Sequence, residues 1–242
     1  IDAHRLLFDL ATRPGKRGPK IDAAGALVAS LERVDPGVAS ALSATATEIP
    51  LFIANPLFGA CAEARSRPWP VDAARRVIRL NPGLAFGTGT HPTTRMCLRW
   101  IARQAALRKA PWPRVLDYGC GSGILAIAAA LFGAGRVEAV DIDPAAVEST
   151  RANAAANGVA VHAGTPDAAQ GRFDLVLANI LATPLKLLAP VLCTHVEPGG
   201  DLVLAGILER QADELEAAYA PHCALEVCDS DDGWILMTGR MA

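Results

Sequence analysis

Apolar runs and segments of helical periodicity alternate along the chain from residue 114 onward. The apolar runs predict strands over Arg114–Asp117, Val137–Asp141, Phe173–Ala178, Gly200–Leu204 and Trp234–Gly239. The segments between them predict helices over Ile124–Phe132, Pro144–Ala156, Pro184–Val191 and Glu209–Tyr219. Because strands this apolar leave no face for water, the alternation predicts an α/β fold with a doubly wound, mostly parallel sheet and antiparallel strands near its end.

The first 76 residues have a different texture. A helical pattern covers Asp22–Arg33, whereas Ser43–Ala64 is apolar without a clear period. The sequence therefore predicts a smaller, divergent N-terminal region over residues 1–76 and a second domain over residues 77–242. The basic segment Arg13–Lys20 fits either an RNA contact or a solvated loop, and its two prolines and two glycines favour the loop.

Composition narrows the class of protein. The 242 residues are 51% hydrophobic, enough for a packed core, and the formal net charge of -2 leaves no global basic field for nucleic-acid binding. No apolar stretch reaches the roughly 18 residues of a membrane span. Charged residues such as Asp2 and Arg5 stand where a signal peptide would be apolar. We therefore expect a cytoplasmic protein that binds neither a membrane nor, directly, a nucleic acid.

The cysteines indicate neither disulfides nor a metal. None of the six belongs to a C-x-x-C pair or has the histidine spacing of a zinc site; they are Cys61, Cys97, Cys120, Cys193, Cys223 and Cys228. We expect reduced thiols in the core and no metal site.

A glycine-rich turn follows the first strand of the second domain. Asp117 ends the strand, and Gly119, Gly121 and Gly123 follow in the pattern G-x-G-x-G. Ligands of open α/β sheets bind at the carboxyl ends of the strands, and glycines let them approach the amides at a helix start. These residues are therefore expected to form a nucleotide-binding turn.

Asp141 ends the next strand, 22 positions after Gly119. A carboxylate about 20 residues beyond such a turn binds ribose hydroxyls in nucleotide-binding folds. The alternative is that Asp141 caps the helix beginning at Pro144, a role for which Asp143 is better placed.

The spacing of the glycines distinguishes between cofactors. Dinucleotide-binding proteins have G-x-G-x-x-G, whereas this turn reads G-x-G-x-G with Ile124 next. The carboxylate of Asp117 suits a cationic amino acid better than a pyrophosphate. S-adenosylmethionine, which has a sulfonium and a free ammonium, therefore fits better than NAD.

Two further segments contain candidate site residues. In residues 81–94, three glycines and four threonines surround Phe86, which is the composition of a lid that excludes water or of an ordinary surface loop. His91, before Pro92, could act as a base or as a capping and packing residue. Asn179 follows a strand at the ligand edge of the sheet, where its amide oxygen could orient a neutral amine; the alternative is a turn residue.

Four segments together resemble the PrmA family, the bacterial ribosomal protein L11 methyltransferases; they are Asn81–Thr94, Asp117–Gly123, Asp141–Pro144 and Asp174–Leu181. The resemblance extends from about Val77 to the last residue. It implies a Rossmann-like class I methyltransferase that uses S-adenosyl-L-methionine. It further implies methyl transfer to lysine side chains and an α-amine of a stalk-base protein of the large ribosomal subunit, and we expect a monomer.

The resemblance also implies site residues. The family's cofactor contacts fall on Thr94, Gly119, Asp141 and Asn179, and its closing loop on Phe86 to Thr90. The expected cofactor site comprises Thr94, Asp117, Gly119, Gly121, Gly123, Asp141, Ile142 and Asn179. The expected catalytic residues are Asn179, which positions the acceptor amine, and Phe86 and Thr90 of the methyl-donor loop.

The substrate is less constrained than the cofactor. Related amide and adenine methyltransferases have Asn-Pro-Pro and an aromatic ring where this chain has Asn179-Ile-Leu, which favours a flexible aliphatic amine. Residues 1–76, expected to recognise the substrate and link to the catalytic domain, do not match the family's pattern. Three hypotheses result: a ribosomal-protein lysine methyltransferase, a related enzyme for another protein or a small amine, and a noncatalytic nucleotide-binding module or dehydrogenase. The intact turn, Asp141 and Asn179 argue against the third.

Overall fold

A computed structural model describes residues 52–54, 77–80, 89 and 91–242. The chain divides into two units, Ile1–Pro82 and Gly83–Ala242. In the first, strands β1 (Phe52–Ala54) and β2 (Val77–Arg79) pair in parallel. The helix predicted over residues 22–33, the basic segment 13–20 and Cys61 lie outside the described residues, and the predicted domain boundary after residue 76 stays a prediction.

The second unit is built on a seven-stranded sheet. Its strands are β3 (Arg114–Tyr118), β4 (Arg136–Val140), β5 (His162–Gly164), β6 (Phe173–Asn179), β7 (Val196–Leu208), β8 (Leu225–Asp231) and β9 (Trp234–Arg240). They lie in the order β5-β4-β3-β6-β7-β9-β8. All pairings are parallel except those of β9 with β7 and with β8. The predicted α/β fold with a mostly parallel sheet is confirmed.

The helices of the second unit form two groups. They are α1 (Pro92–Leu107), α2 (Ile124–Leu131), α3 (Pro144–Ala156), α4 (Ala182–Thr194) and α5 (Ala212–Tyr219). Helix α2 contacts both α1 and α3, whereas α4 packs against α5. Among the helices that the structure describes, none is long and apolar enough to cross a membrane.

The core explains why the central strands are so apolar. Strand β6 lies between β3 and β7, and its residues Leu175, Val176 and Leu177 are fully buried. A central parallel strand buries both of its faces, so consecutive positions must all be apolar. The hydroxyl of Tyr219 in α5 donates a hydrogen bond of 2.9 Å to the carbonyl of Leu185 in α4, which satisfies the polar end of a fully buried ring.

Several predicted boundaries were wrong. Helix α4 begins at Ala182, two residues before the predicted Pro184, because the first turn of a helix needs no amide donor from proline. The helix predicted from Glu209 begins as a 3-10 turn over Glu209–Gln211. Strand β7 runs from Val196 to Leu208, beyond the predicted Gly200–Leu204, because its ends also pair with β6 and β9.

Smaller corrections concern other ends and one thiol. Strand β4 ends at Val140, so Asp141 lies just beyond it, and strand β6 extends to include Asn179. Helix α2 ends at Leu131, one residue before the predicted Phe132. Four cysteines are buried free thiols, as predicted, but Cys228 is exposed because it lies on the edge strand β8.

The order of the strands defines where a ligand binds. From β3 the chain proceeds outward to β4 and β5, then crosses to β6 on the other side of β3. Ligands of open α/β sheets bind at such a reversal, beyond the carboxyl ends of the strands. The ends of β3 and β6 are therefore the candidate site.

Candidate functional site

The glycine-rich turn and Asn179 follow two adjacent strands. Strands β3 and β6 pair in parallel, with Asp117 opposite Leu177. The turn that begins at Gly119 and the end of β6 at Asn179 are therefore neighbours at one edge of the sheet. The sequence separates these segments by about sixty residues, and the parallel pairing brings them together.

The turn is fastened to the end of β4. The amides of Gly119 and Cys120 both donate to the carbonyl of Val140, at 2.7 and 3.0 Å. The amide of Gly123, the residue before α2, donates to the carbonyl of Cys120 at 2.8 Å. These bonds fix the turn relative to Asp141, which immediately follows Val140.

Asp141 uses its carboxylate to hold the turn. Its Oδ2 accepts a hydrogen bond of 2.9 Å from the amide of Gly121, and its Oδ1 accepts one of 3.0 Å from the amide of Asp143. Asp143, not Asp141, caps α3, because its side chain accepts from the amide of Ala145 at 2.9 Å. The carboxylate of Asp141 is thus oriented at the edge of the turn, and each oxygen keeps a lone pair for a ligand hydroxyl.

Two buried polar residues of α3 support the turn from behind. The hydroxyl of Thr150 donates to the carbonyl of Gly121 at 3.1 Å, and the side-chain amide of Asn153 donates to the carbonyl of Ser122 at 2.8 Å. Both residues are fully buried. Neither residue is among those predicted from the sequence, although polar residues three apart on the apolar face of a helix are a signal that they bond to buried groups.

Asp117 lies beneath the turn and is 1% exposed. Its Oδ2 accepts a hydrogen bond of 3.0 Å from the amide of Ala126 in the first turn of α2. Its Oδ1 is buried and has no hydrogen-bond partner among the described residues. Burial raises the pKa of Asp117 to about 7; the bond from Ala126 opposes this change, and the nearby charge of Asp141 adds to it.

Asn179 is joined to α1. Its Nδ2 donates a hydrogen bond of 3.3 Å to Oγ1 of Thr94, which is buried in the first turn of that helix. The bond leaves Oδ1 as the side-chain atom of Asn179 that can accept a hydrogen bond from a ligand. A single contact thus connects the helix after the predicted lid to the end of β6.

His91 is the N-cap of α1. Its Nδ1 accepts a hydrogen bond of 3.4 Å from the amide of Thr93 and lies 2.8 Å from the hydroxyl of the same residue. The edge of its ring packs against Trp234, with the ring centroids 4.8 Å apart. Burial, with a smaller contribution from the charge of Arg95, lowers the pKa of His91 and so favours the neutral form that a cap requires. The capping and packing role is the one that the structure supports.

The structure brings all eight expected cofactor residues together at the carboxyl edge of β3, β4 and β6. They are Thr94, Asp117, Gly119, Gly121, Gly123, Asp141, Ile142 and Asn179. Ile142 is 85% exposed beside Asp141, an unusual position for an isoleucine. The expected loop residues Phe86 and Thr90 lie outside the described residues.

A family model described as ribosomal protein L11 methyltransferase (PrmA) matches residues 58–242. The chain belongs to the ribosomal protein L11 methyltransferase family. A member from Polaromonas sp. is 71% identical over 171 residues, which make up 71% of this chain and 57% of that protein. One from Bordetella parapertussis is 57% identical over 174 residues, 71% of this chain and 55% of that protein. The chain therefore spans little more than half the length of these curated family members.

Solved structures agree with this assignment. The crystal structure of ribosomal protein L11 methylase from Lactobacillus delbrueckii subsp. bulgaricus matches with a TM-score of 0.68 and 33% identity, over 80% of this chain and 96% of that one. A T. thermophilus 16S rRNA methyltransferase matches with a TM-score of 0.54 and 22% identity, over 65% of this chain and 45% of that one. The second match shows the fold alone. The resemblance of the sequence to the ribosomal protein L11 methyltransferase family is confirmed. The family model begins at residue 58, however, so residues 58–76 match the family although we expected them not to.

Proposed function

We propose that the protein is an S-adenosyl-L-methionine-dependent methyltransferase that modifies lysine side chains and an α-amino group of ribosomal protein L11. One observation carries the proposal. The glycine-rich turn and Asn179 lie at the ends of the adjacent strands β3 and β6, where the direction of strand addition to the sheet reverses. A methyl donor on the turn and an amine at Asn179 would meet there.

The residues at the turn fit the cofactor. Gly119 has a φ of +79°, and a Cβ there would overlap the side chain of Ile180, so only glycine lets the chain turn at this point. The oriented carboxylate of Asp141 suits ribose hydroxyls, and the exposed side chain of Ile142 offers an apolar surface to a nucleobase. The unpartnered Oδ1 of Asp117 suits the ammonium of the amino-acid part. When bound, the cofactor supplies an electrophilic methyl group on a positively charged sulfur.

The protein contributes position more than reactivity. With Nδ2 bonded to Thr94, Oδ1 of Asn179 would accept a hydrogen bond from an N–H of the acceptor amine and so orient that amine at the end of β6. Holding nucleophile, carbon and leaving sulfur in line lowers the barrier by several kcal/mol through proximity alone. The departing proton passes to solvent, and no covalent enzyme intermediate forms.

The acceptor lysine must be neutral before it reacts. A site with little water lowers the lysine pKa because it disfavours the charged form. We therefore propose that no side chain is an indispensable general base, and that activity rises with pH as the acceptor loses its proton. The engagement of His91 as a helix cap supports this, since its Nδ1 is already bonded to Thr93.

The remaining proposals concern the whole protein. We propose that residues 77–242 form the cofactor-binding catalytic domain and that residues 1–76 recognise the substrate and link to it. Ribosomal protein L11 is the proposed partner because the family model and the similar proteins are described as ribosomal protein L11 methyltransferases. We further propose that the enzyme is monomeric and cytoplasmic and that it needs no direct contact with a nucleic acid.

Intact-mass analysis of purified ribosomal protein L11, incubated with the enzyme and S-adenosylmethionine, tests the proposed function. We expect increments of one methylene each with the wild type and none with Asn179→Ala. Asn157→Ala, which changes another asparagine at the end of α3, serves as the matched control and should methylate normally. If the wild type binds the cofactor but adds no mass, a non-ribosomal protein or a small amine is the substrate. If it does not bind the cofactor, the methyltransferase proposal is wrong.

A further inference from the structure

Ile180 directly follows Asn179, the residue proposed to position the acceptor amine, and lies next to the glycine-rich turn. It is half-buried and lies just beyond the end of β6. A Cβ built on Gly119, where φ is +79°, would overlap Cγ2 of Ile180 and lie 3.8 Å from its Cβ. The Cγ2 methyl therefore occupies the space over Gly119 that any other residue type at position 119 would fill.

The backbone of Ile180 also lies close to Gly206 of β7. Gly206 has a φ of +87° and lies where the pairing of β7 with β9 shifts register, between Leu204 and Ile207. A Cβ on Gly206 would lie 2.7 Å from the carbonyl carbon of Ile180 and 3.3 Å from its nitrogen, and would overlap its carbonyl oxygen. Glycine at 206 thus allows the two backbones to approach more closely than side chains would permit.

From these contacts we infer that Ile180 is a positioning residue that couples the cofactor turn to Asn179. Its side chain contacts Gly119, and its backbone packs closely against Gly206. The neighbouring Asn179 donates a hydrogen bond to Thr94. The contact of the Ile180 methyl group with Gly119 therefore links the position of the turn to that of Asn179. The inference rests on the proposed function for its catalytic meaning.

The contact depends on branching at the β-carbon. Valine keeps a methyl group on Cβ in the place of Cγ2 and should preserve the contact with Gly119. Leucine has the same number of carbon atoms as isoleucine but no methyl group on Cβ, so it leaves a gap over the turn and adds bulk further out. Ile180→Val and Ile180→Leu therefore form a matched pair that separates this contact from hydrophobic burial.

The test combines kinetics with a readout that needs no methyl transfer. In Ile180→Leu we expect kcat to fall roughly 10- to 100-fold, as a displacement of about 1 Å would cause, while the Kd for S-adenosylmethionine stays at the wild-type value. Ile180→Val should retain kcat and Kd. In 15N NMR spectra, the side-chain amide signal of Asn179, assigned by its loss in Asn179→Ala, should shift in Ile180→Leu and not in Ile180→Val.

The outcomes of the two readouts are distinct. An unchanged Asn179 signal in Ile180→Leu, or equal losses of kcat in both variants, overturns the inference. If the wild type neither binds the cofactor nor methylates ribosomal protein L11, the proposed function fails, yet the NMR comparison of the free proteins still decides whether Ile180 positions Asn179.

Discussion

Thr94 and Asn179 are joined by a hydrogen bond although 85 positions separate them in the chain. Thr94 lies in the first turn of α1, directly after the segment predicted to close over the site. Asn179 is the last residue of β6. The bond fixes the rotamer of Asn179, which we propose positions the acceptor amine, so the start of α1 is part of the proposed active site.

Replacing Thr94 by valine should slow methyl transfer. Valine preserves the shape of threonine but cannot accept the bond from Asn179, and a hydrogen bond of this kind contributes about 0.5–1.5 kcal/mol, or roughly 2- to 10-fold in kcat. Steady-state kinetics with ribosomal protein L11 measure the loss. Thr94→Ser restores the hydroxyl and should recover most of it; equal rates for valine and serine would show that the bond is irrelevant.

Asp141→Ala should weaken cofactor binding. The variant loses the charged hydrogen bond to the Gly121 amide and the proposed contact with the ribose, each worth about 1.5–3 kcal/mol, so the Kd for S-adenosylhomocysteine should rise at least roughly 10-fold. Titration calorimetry measures this directly.

Asp143→Ala is the control for that experiment. It removes the cap of α3 and should cost about 1 kcal/mol of stability without changing the Kd. A similar rise of the Kd in both variants would mean that the loss at Asp141 is structural.

The stability contributed by Asp117 should depend on pH. Its folded-state pKa, about 7, lies above the value of 3.8 for a free carboxyl, so folding favours the protonated form. Its contribution is therefore greatest below pH 4 and declines as the pH rises to 7, by about 4 kcal/mol at most. In urea unfolding experiments, the free energy of unfolding of Asp117→Asn minus that of the wild type should increase from pH 4 to pH 7. A difference that stays constant over this range would contradict the raised pKa.

His91→Ala should affect stability more than catalysis. Loss of the α1 cap should lower the free energy of unfolding by about 1 kcal/mol, while kcat stays close to the wild-type value. The folded-state pKa of His91 is lowered, so its contribution is present above about pH 6.5 and is lost as the pH falls through the folded-state value. Thermal unfolding from pH 5 to pH 8 measures this change.

The variant His91→Asn separates the capping role of residue 91 from its protonation. His91→Asn keeps a capping oxygen but has no proton to gain, so its stability relative to His91→Ala should not vary over the same pH range. A sharp loss of kcat in His91→Ala with cofactor binding intact would instead make His91 the general base.

The sequence predicts the central strands and α3 well, for physical reasons. Strand β6 is an unbroken apolar run because both of its faces are buried, and α3 has proline in its first turn and Asn157-Gly158 after its end. Helix α1 was not predicted, because arginines such as Arg95 and Arg99 interrupt its apolar pattern. These two arginines form ion pairs with Asp231 and Asp229 of β8, an element that the sequence also failed to predict.

The sequence locates candidate site residues where a single segment determines their position, and misses contacts that form where segments meet. Asp117 lies near the end of β3, and the glycines and Asp141 follow strands, so the pattern of the strands locates them. Thr150 and Asn153 escaped notice because their partners are backbone carbonyls, which no residue type reveals. The pairing of Thr94 with Asn179 depends on the seating of α1 against the sheet, which neither segment encodes alone.

The place of β9 in the sheet determines the order in which this unit can assemble. Although β9 is the last strand along the chain, it lies between β7 and β8 and is the strand on which β8 pairs. Its first residue, Trp234, also packs against the cap of α1. During synthesis, the turn and its supporting helix can form while the chain is still growing. The packing of the α1 cap against Trp234 can form only after β9 has left the ribosome.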